Sequence, residues 1–171
     1  MPDMLVSLLD LPDERPLCEA LFAQGIELVR PLPPDKHRVL AWMQQNAYPS
    51  AASECEVCFF RQPVSCFIAL QGTEILGYAC YDATAPDFFG PTMVLEQHRG
   101  KGLGKALLLK ALRAMREEGY AYAIIGGVGP EEFYRRTVNA FVIPGSEPGL
   151  YRHFIGGRLA AQKREAEQQG N

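Results

Sequence analysis

One short segment of the chain combines residue types that bind anions. Residues 99–105, called the glycine loop below, read Arg-Gly-Lys-Gly-Leu-Gly-Lys. Glycine lets a backbone approach a ligand closely, and the loop runs directly into a predicted helix whose first amides have no partner inside that helix. These amides and the positive end of the helix dipole attract phosphate. The sequence therefore predicts a phosphate-binding site here.

The glycine loop differs from two common phosphate-binding motifs. A P-loop requires GxxxxGK followed by Ser or Thr, but Arg99 stands at the first glycine position and Ala106 at the last position. The dinucleotide pattern GxGxxG also fails, because no third glycine stands at the required spacing. What remains is Arg-x-x-Gly-x-Gly, formed by Arg99, Gly102 and Gly104.

Positive charge is concentrated around this loop. The chain has 17 basic and 20 acidic residues and a net charge of −3, which argues against a broad nucleic-acid or anionic-membrane surface. Residues 97–116 nevertheless hold six basic residues and no acidic one, a local charge of +6. A solvated basic helix face is the alternative, but a small phosphate-rich ligand accounts for both the glycines and the charge. The six are Arg99, Lys101, Lys105, Lys110, Arg113 and Arg116.

The elements around the loop predict an α/β fold. Alternating and apolar runs predict strands at 4–9, 26–30, 64–70, 74–82, 88–95, 120–126 and 138–143. Helical spacing predicts helices at 13–24, 35–46, 103–118 and 131–137. This order indicates a mixed, mostly antiparallel central sheet flanked by helices. We expect a single domain over 1–171, with 1–25 an N-terminal extension and 158–171 a polar C-terminal tail.

The cysteines and the N-terminus indicate a reducing compartment. Cys55 and Cys58 form a lone CxxC, with no second pair and no HxxxH to complete a zinc tetrahedron. We therefore expect buried, reduced thiols and no metal site. The N-terminus lacks the basic segment of a signal peptide, and no apolar run is long enough for a membrane helix. The expected location is cytoplasmic, without a membrane partner.

At this point the sequence resembles a known family. Residues 94–108, which contain the glycine loop, resemble motif A of the GNAT superfamily of acyl-CoA-dependent N-acetyltransferases. Glu132-Phe133-Tyr134 resembles motif B, and the likeness covers about residues 26–151. It implies a GNAT-like sheet with a splayed, V-shaped cleft. It also implies transfer of an acetyl group from acetyl-CoA to a small-molecule or peptide amine by direct attack, without a metal or nucleic acid; a homodimer is left open.

The resemblance also implies roles for individual residues. The glycine loop would hold the CoA pyrophosphate, the preceding strand would hydrogen-bond the pantetheine, and the Val94 amide would stabilise the oxyanion. Gly90-Pro91 either forms the strand bulge of the family or merely precedes the strand. Tyr134 either protonates the departing CoA thiolate or packs its ring under the cofactor. The implied cofactor-binding residues are Thr92, Met93, Val94, Arg99, Gly100, Lys101, Gly102, Leu103, Gly104 and Lys105.

Two departures from the family pattern bear on the chemistry. The asparagine that often precedes the motif B helix is replaced by residues 126–130, Gly-Gly-Val-Gly-Pro. The glutamate base is missing from the strand before motif A. Asp82 is then the candidate catalytic base, with a turn carboxylate or a base acting through water as alternatives.

The acceptor and the reaction itself stay open at this stage. A CoA-binding sensor without turnover and a nucleotide-phosphate-binding module are the alternative functions. Acceptor walls are expected from 42–53 and 145–153, and Glu54 and Glu56 either attract a cationic amine or lie in a solvated turn. The possible wall residues are Trp42, Tyr48, Tyr151 and His153.

Overall fold

A computed structural model describes residues 1–169 of the chain. The strands are β1 (Met4–Ser7), β2 (Ile26–Val29), β3 (Cys66–Gln71), β4 (Glu74–Tyr81), β5 (Phe88–Val94), β6 (Tyr122–Ile125) and β7 (Phe141–Val142). The α-helices are α1 (Arg15–Phe22), α2 (Lys36–Asn46), α3 (Ala51–Cys58), α4 (Leu103–Glu117), α5 (Glu131–Val138) and α6 (Ile155–Gln169). Short 3-10 turns occupy Pro33–Asp35, Glu96–His98 and Gly149–His153.

The strands form a seven-stranded sheet in the order β2-β3-β4-β5-β6-β1-β7. The β5–β6 pair is parallel, and the other neighbouring pairs are antiparallel. The crossover from β5 to β6 runs through α4, as a parallel connection requires. The predicted fold class, a mixed and mostly antiparallel sheet flanked by helices, is confirmed.

Two hydrophobic cores cover the two faces of the sheet. On one face, α4 contributes a stripe of buried side chains, among them Leu107, Leu108 and Leu112, and α1 and α5 pack beside it. On the other face, α2 and α3 cover the sheet with Met43, Cys55 and smaller apolar residues. We call these the α4 face and the α3 face.

The N-terminal segment is built into the sheet. Strand β1 lies between β6 and β7, with Met4 opposite Ile125 on one side and Val142 on the other. Strand β7 is shorter than the predicted 138–143, since helix α5 continues to Val138 and β1 offers only two residues for pairing. The N-terminal segment thus supplies an interior strand beside the gap described below.

Two helices depart from the sequence prediction. Helix α3 was not predicted, because its buried positions are filled by alanine and cysteine, which give a weak apolar pattern. Helix α6 begins at Ile155, ahead of the expected tail, and its first residues are exposed. Among the described residues, no helix combines the length and the apolar character that a bilayer-spanning segment needs.

Candidate active site

A bulge in β5 opens the sheet. Ala79 lies opposite Thr92 but Tyr81 lies opposite Phe89, so β5 carries one more residue than β4 over this stretch. The extra residue falls at Gly90-Pro91, where Gly90 has a φ of +123° and the following peptide bond is cis. Proline cannot donate to the ladder and glycine tolerates this φ, so the pair suits an interruption of pairing. Of the two readings of Gly90-Pro91, the structure selects the bulge.

The bulge coincides with the end of the β5–β6 pairing. Phe88 pairs with Ile124 and Phe89 with Ile125, and within the described residues the parallel pairing goes no further. Beyond this point β5 continues to Val94 while the chain after β6 turns away at Gly126. The result is a V-shaped gap between the two strands, as the sequence predicted.

One edge of β5 is free to bind a ligand in this gap. The Leu95 amide donates to the Leu76 carbonyl at 3.0 Å. Since bonded and non-bonded residue pairs alternate along an antiparallel ladder, the Thr92 and Val94 amides point away from β4 and toward the gap. The Met93 backbone faces β4 in the same register, so the prediction that it binds the cofactor does not fit this geometry.

The glycine loop lies at the start of α4, beside the end of β5. Gly100 and Gly102 have φ values of +76° and +84°, a conformation that favours glycine, and Gly102 is the N-cap of α4 without a side-chain cap. Leu103 is buried, so its contribution to an anion site is limited to its amide. The first amides of α4 are therefore available to a phosphate.

The charges of the loop are also available. Arg99 donates through Nε to the Val94 carbonyl at 3.1 Å, which ties the loop to β5. Among the side chains that the structure describes, no ion pair involves Arg99, Lys101 or Lys105. Arg113, further along α4, does pair with Glu14 at 3.2 Å. Lys110 and Arg116 are also without an ion pair among the described side chains, but three of these five unpaired charges lie together at the loop end of α4, where the sequence predicts the ligand phosphates.

Tyr134 lies in α5 close to the start of the gap. Its ring packs edge-on against Phe133 and Phe89, with centroids 5.0 and 6.4 Å away. The side chain is buried, and burial raises its pKa to about 12. The phenol is therefore protonated throughout the neutral range. Packing and hydrogen-bond donation are both compatible with this position.

Asp82 directly follows β4, in the loop that connects β4 to β5, at the closed end of the gap. Its φ is +52°, and its carboxylate is 1% exposed. One oxygen accepts the Asp87 amide at 2.7 Å, while the other accepts the Tyr120 hydroxyl at 3.0 Å and pairs with Arg61 at 2.7 Å. Three donors leave little capacity for a substrate proton. This is the geometry of the turn carboxylate that the sequence left open as the alternative, and it disfavours Asp82 as the base.

A second carboxylate lies in a more accessible position. Glu54, in the first turn of α3, accepts the Thr84 hydroxyl at 2.6 Å. The pKa values of Tyr48 and Tyr151 are raised by burial first and by Glu54 second. We call these four residues, Tyr48, Glu54, Thr84 and Tyr151, the acceptor cluster. The sequence analysis gave Glu54 only a weak role, because α3 was not predicted.

The acceptor cluster borders the opening of the gap. A Cβ placed on Gly126, the residue after β6, would lie 2.9 Å from the Tyr151 hydroxyl oxygen and 2.8 Å from Phe88. Only glycine therefore lets Tyr151 lie over this backbone. Of the other wall residues predicted, Trp42 packs edge-on against Tyr78 and His153 is exposed beside Arg158. The structure gathers Tyr48 and Tyr151 but not Trp42 or His153.

The glycine-rich segment 126–130 is held by the N-terminus. The Gly127 amide donates to Asp3 at 2.8 Å, and the Val128 amide donates to the Pro2 carbonyl at 2.9 Å. Asp3 is buried, and its own amide donates to Ser146 at 2.8 Å. The N-terminal segment thereby fixes the segment that replaces the family asparagine. Sequence reasoning missed this role, since nothing near Asp3 in the sequence signals the contact.

A separate pocket lies away from these features. It measures about 440 Å³ and lies at the β2 edge of the sheet, between β2 and the start of α2. Its walls include Arg30, Arg38 and Asp35 and no residue of the glycine loop or the acceptor cluster. We therefore place the candidate active site at the V-shaped gap.

The fold and the glycine loop match the pattern of one protein family. The Acetyltransferase (GNAT) family model matches residues 27–136, more than half of the chain. The chain therefore belongs to the GNAT acetyltransferase family. No curated protein matches the sequence.

Solved structures share the fold at low sequence identity. One is a fungal multi-domain β-N-acetylglucosaminidase with a glucosamine N-acetyltransferase region, at TM-score 0.67 and 15% identity over 83% of this chain and 19% of that chain. A GCN5-related N-acetyltransferase from Sphaerobacter thermophilus gives 0.61 and 18%, over 83% and 48%. One from Kribbella flavida gives 0.54 and 21%, over 84% and 58%. This chain thus spans about a fifth to somewhat over half of these proteins.

Proposed function

We propose that the protein transfers an acetyl group from acetyl-CoA to the amine of a small molecule or peptide. The observation that carries the proposal is the junction of two features. The uncapped, glycine-rich start of α4 adjoins the β5 edge that the bulge has released from β6. A phosphate anchor beside a free strand edge suits a ligand with a pyrophosphate at one end and amide groups along its length.

The glycine loop would hold the pyrophosphate of acetyl-CoA. The amides at the start of α4 donate to its oxygens, and Arg99, Lys101 and Lys105 neutralise its charge. The Thr92 and Val94 backbones hydrogen-bond the pantetheine arm, which directs the thioester toward the bulge. Acetyl-CoA itself supplies an activated acyl group with a thiolate as leaving group.

The Thr92 amide and the acceptor cluster act on the two sides of the thioester carbonyl. As the amine nitrogen attacks, negative charge develops on the carbonyl oxygen, and the Thr92 amide beside the bulge stabilises it. This replaces the oxyanion role that the resemblance gave to Val94, which lies at the loop end of β5. Glu54 attracts the cationic amine and accepts the proton that nitrogen releases. The N–C bond forms, the C–S bond breaks, and the electron pair of that bond leaves with sulfur.

Tyr134 would act on the leaving sulfur as a hydrogen-bond donor. A thiol such as cysteine has a pKa of about 8.5, so full transfer from a phenol at about 12 is uphill by roughly 3.5 units, or about 5 kcal/mol. Donation of a hydrogen bond stabilises the thiolate without this cost. The nitrogen of a cationic amine loses one proton to Glu54 before it attacks and a second proton once the N–C bond has formed. This second proton is the one that finally reaches sulfur.

The proposal is tested by CoA release from acetyl-CoA across a panel of amino acids, polyamines, aminoglycosides and peptide N-termini. We expect a rate above hydrolysis with at least one amine class. Binding of acetyl-CoA without release across the panel would favour the sensor alternative. Tighter binding of ATP than of acetyl-CoA in calorimetry would favour the nucleotide-binding alternative.

A matched pair of charge reversals tests the anchor. Lys105→Glu at the start of α4 should weaken acetyl-CoA binding about tenfold to a hundredfold, because it removes a charge-assisted contact worth about 1.5–3 kcal/mol. Arg116→Glu makes the same change of net charge in the last turn of α4 and should leave the affinity within about twofold. Equal weakening by both variants would mean that acetyl-CoA binding depends on the overall electrostatic field of the protein and not on a contact with Lys105.

A further inference from the structure

Four of the five cysteines meet on the α3 face of the sheet. Cys55 and Cys58 are one turn apart on α3, so they share a side of the helix. Cys66 and Cys80 are direct partners across β3 and β4, so they share a face of the sheet. All four are fully buried and free of disulfides. We call them the thiol cluster; the lone CxxC of the sequence is thus completed by two cysteines from other elements.

Three of the four sulfur atoms lie close to the spacing of a metal site. The sulfurs of Cys55 and Cys66 are 3.9 Å apart, and those of Cys55, Cys66 and Cys80 all lie within 4.8 Å of one another. A tetrahedral zinc ion with bonds of about 2.3 Å requires sulfurs about 3.8 Å apart. Cys58 lies outside this close set, with its sulfur 4.0 Å from the Tyr81 carbonyl oxygen, and would supply the fourth ligand by turning from that carbonyl toward the other three sulfurs.

A buried hydroxyl beside the thiol cluster lacks a partner. Ser65 directly precedes Cys66, and its amide donates to the Cys58 carbonyl at 3.3 Å. Its side chain is fully buried, and in the described part of the chain its oxygen makes no hydrogen bond of ordinary geometry, although it lies near the Cys58 thiol. A hydroxyl left unpaired in an apolar core costs stability, whereas donation to a metal-bound thiolate would satisfy it.

We propose that Cys55, Cys58, Cys66 and Cys80 bind one zinc ion that fastens α3 to β3 and β4. Four thiolates and no open position make such a site structural rather than catalytic. Binding converts four thiols into four thiolates and releases four protons, and the Ser65 hydroxyl then donates to sulfur. Because Glu54 directly precedes Cys55, the zinc also holds the acceptor cluster in place. This last consequence rests on the proposed function; the metal site itself does not.

The test is the metal content of the full chain, purified without a polyhistidine tag from cells grown with added zinc. We expect about one zinc per chain, released when a mercurial blocks the thiols and captured by a chromophoric chelator. Cobalt added to the reduced, metal-free protein should give the sulfur-to-cobalt charge-transfer band of a tetrahedral thiolate site. Less than about a tenth of a zinc per chain together with no such band would overturn the proposal, and stoichiometric iron would overturn the choice of zinc.

Single substitutions then identify the ligands. Cys58→Ser and Cys80→Ser should each reduce the charge-transfer band and the zinc content, while Cys18→Ser, in α1 outside the cluster, should leave both unchanged. The wild-type measurement stands even if a core variant fails to fold. Metal content is also read without any amine or acetyl-CoA. Zinc without acetyl transfer would therefore refute the proposed function alone. Acetyl transfer by a protein that neither carries zinc nor gives the cobalt band would refute the metal site alone.

Discussion

The two faces of the sheet hold sites that are built in different ways. On the α4 face, the proposed phosphate anchor is one contiguous run, residues 99–105, at the start of one helix. On the α3 face, the acceptor cluster and the thiol cluster draw on α3, on β3 and β4, on the loops before α3 and after β4, and on the 3-10 turn at Gly149–His153. The first site can be predicted from the sequence, because the residue types and the spacing that indicate phosphate binding occur in one contiguous run. The second becomes visible only when the topology brings its parts together.

The two faces are tied together at the closed end of the gap. Arg61, just after α3, pairs with both Asp82 and Glu118, and Glu118 directly follows α4. Tyr120, also after α4, donates to the same Asp82 carboxylate. We therefore expect a substitution in this network to affect the packing of both faces.

The largest expected effect follows from breaking that link. Asp82→Ala leaves Arg61 and the Asp87 amide without their buried acceptor, so we expect the free energy of unfolding to fall by about 3 kcal/mol. Urea unfolding measures this. The control is Asp13→Ala, which removes an exposed ion pair with Arg15 and an acceptor for the Arg15 amide, and should lower the urea midpoint far less. A small effect at Asp82 would mean that the faces are held together elsewhere.

The second prediction compares the two carboxylates as bases. Glu54→Gln should lower kcat for amine acetylation about a hundredfold, since it removes the proton acceptor next to the gap while preserving side-chain shape. Asp82→Asn, corrected for the fraction folded, should change kcat little. Steady-state kinetics with the amine found in the panel decides between them. A larger loss at Asp82 would restore the base assigned from the sequence.

A third prediction concerns the glycine loop. Gly102→Ala should destabilise the fold by about 1–2 kcal/mol, because the site has φ +84° and a Cβ there would lie 2.8 Å from Leu17. Gly104→Ala is the matched change inside the helix, where the nearest atom would be 3.7 Å away. It should leave stability unchanged or raise it by up to about 1 kcal/mol while weakening acetyl-CoA binding. Equal destabilisation by both variants would show that the loop has no special backbone requirement.

The sequence predicted the features that depend on local signals and missed those that depend on the topology of the sheet. Helix α4 and the β3–β4 hairpin follow from local signals, namely apolar period and turn residues. The bulge at Gly90-Pro91 was one of two alternatives raised by the family resemblance, and only the strand register decides between them. Helix α3 gave no such signal, so neither the position of Glu54 in the acceptor cluster nor the meeting of the cysteines could be predicted. The insertion of β1 between β6 and β7 is a long-range pairing that composition cannot reveal.

The smallest expected effect concerns Asp87, whose amide donates to Asp82 in the network that links the two faces. Burial and the nearby Asp82 raise the pKa of Asp87 above its usual 3.8, and one of its oxygens has no partner among the described residues. A carboxyl with a raised folded-state pKa binds its proton more tightly when folded, so its contribution to stability is lost as the pH rises from about 4 through that value. Asp87→Asn should therefore stabilise the fold at pH 7 but not at pH 3, and asparagine tolerates the φ of +69°. Asp10→Asn changes an exposed residue and serves as the control, which should show no such pH dependence in thermal unfolding. If Asp87→Asn were instead less stable than the wild type at pH 7, Asp87 would have to bind a partner through its charge.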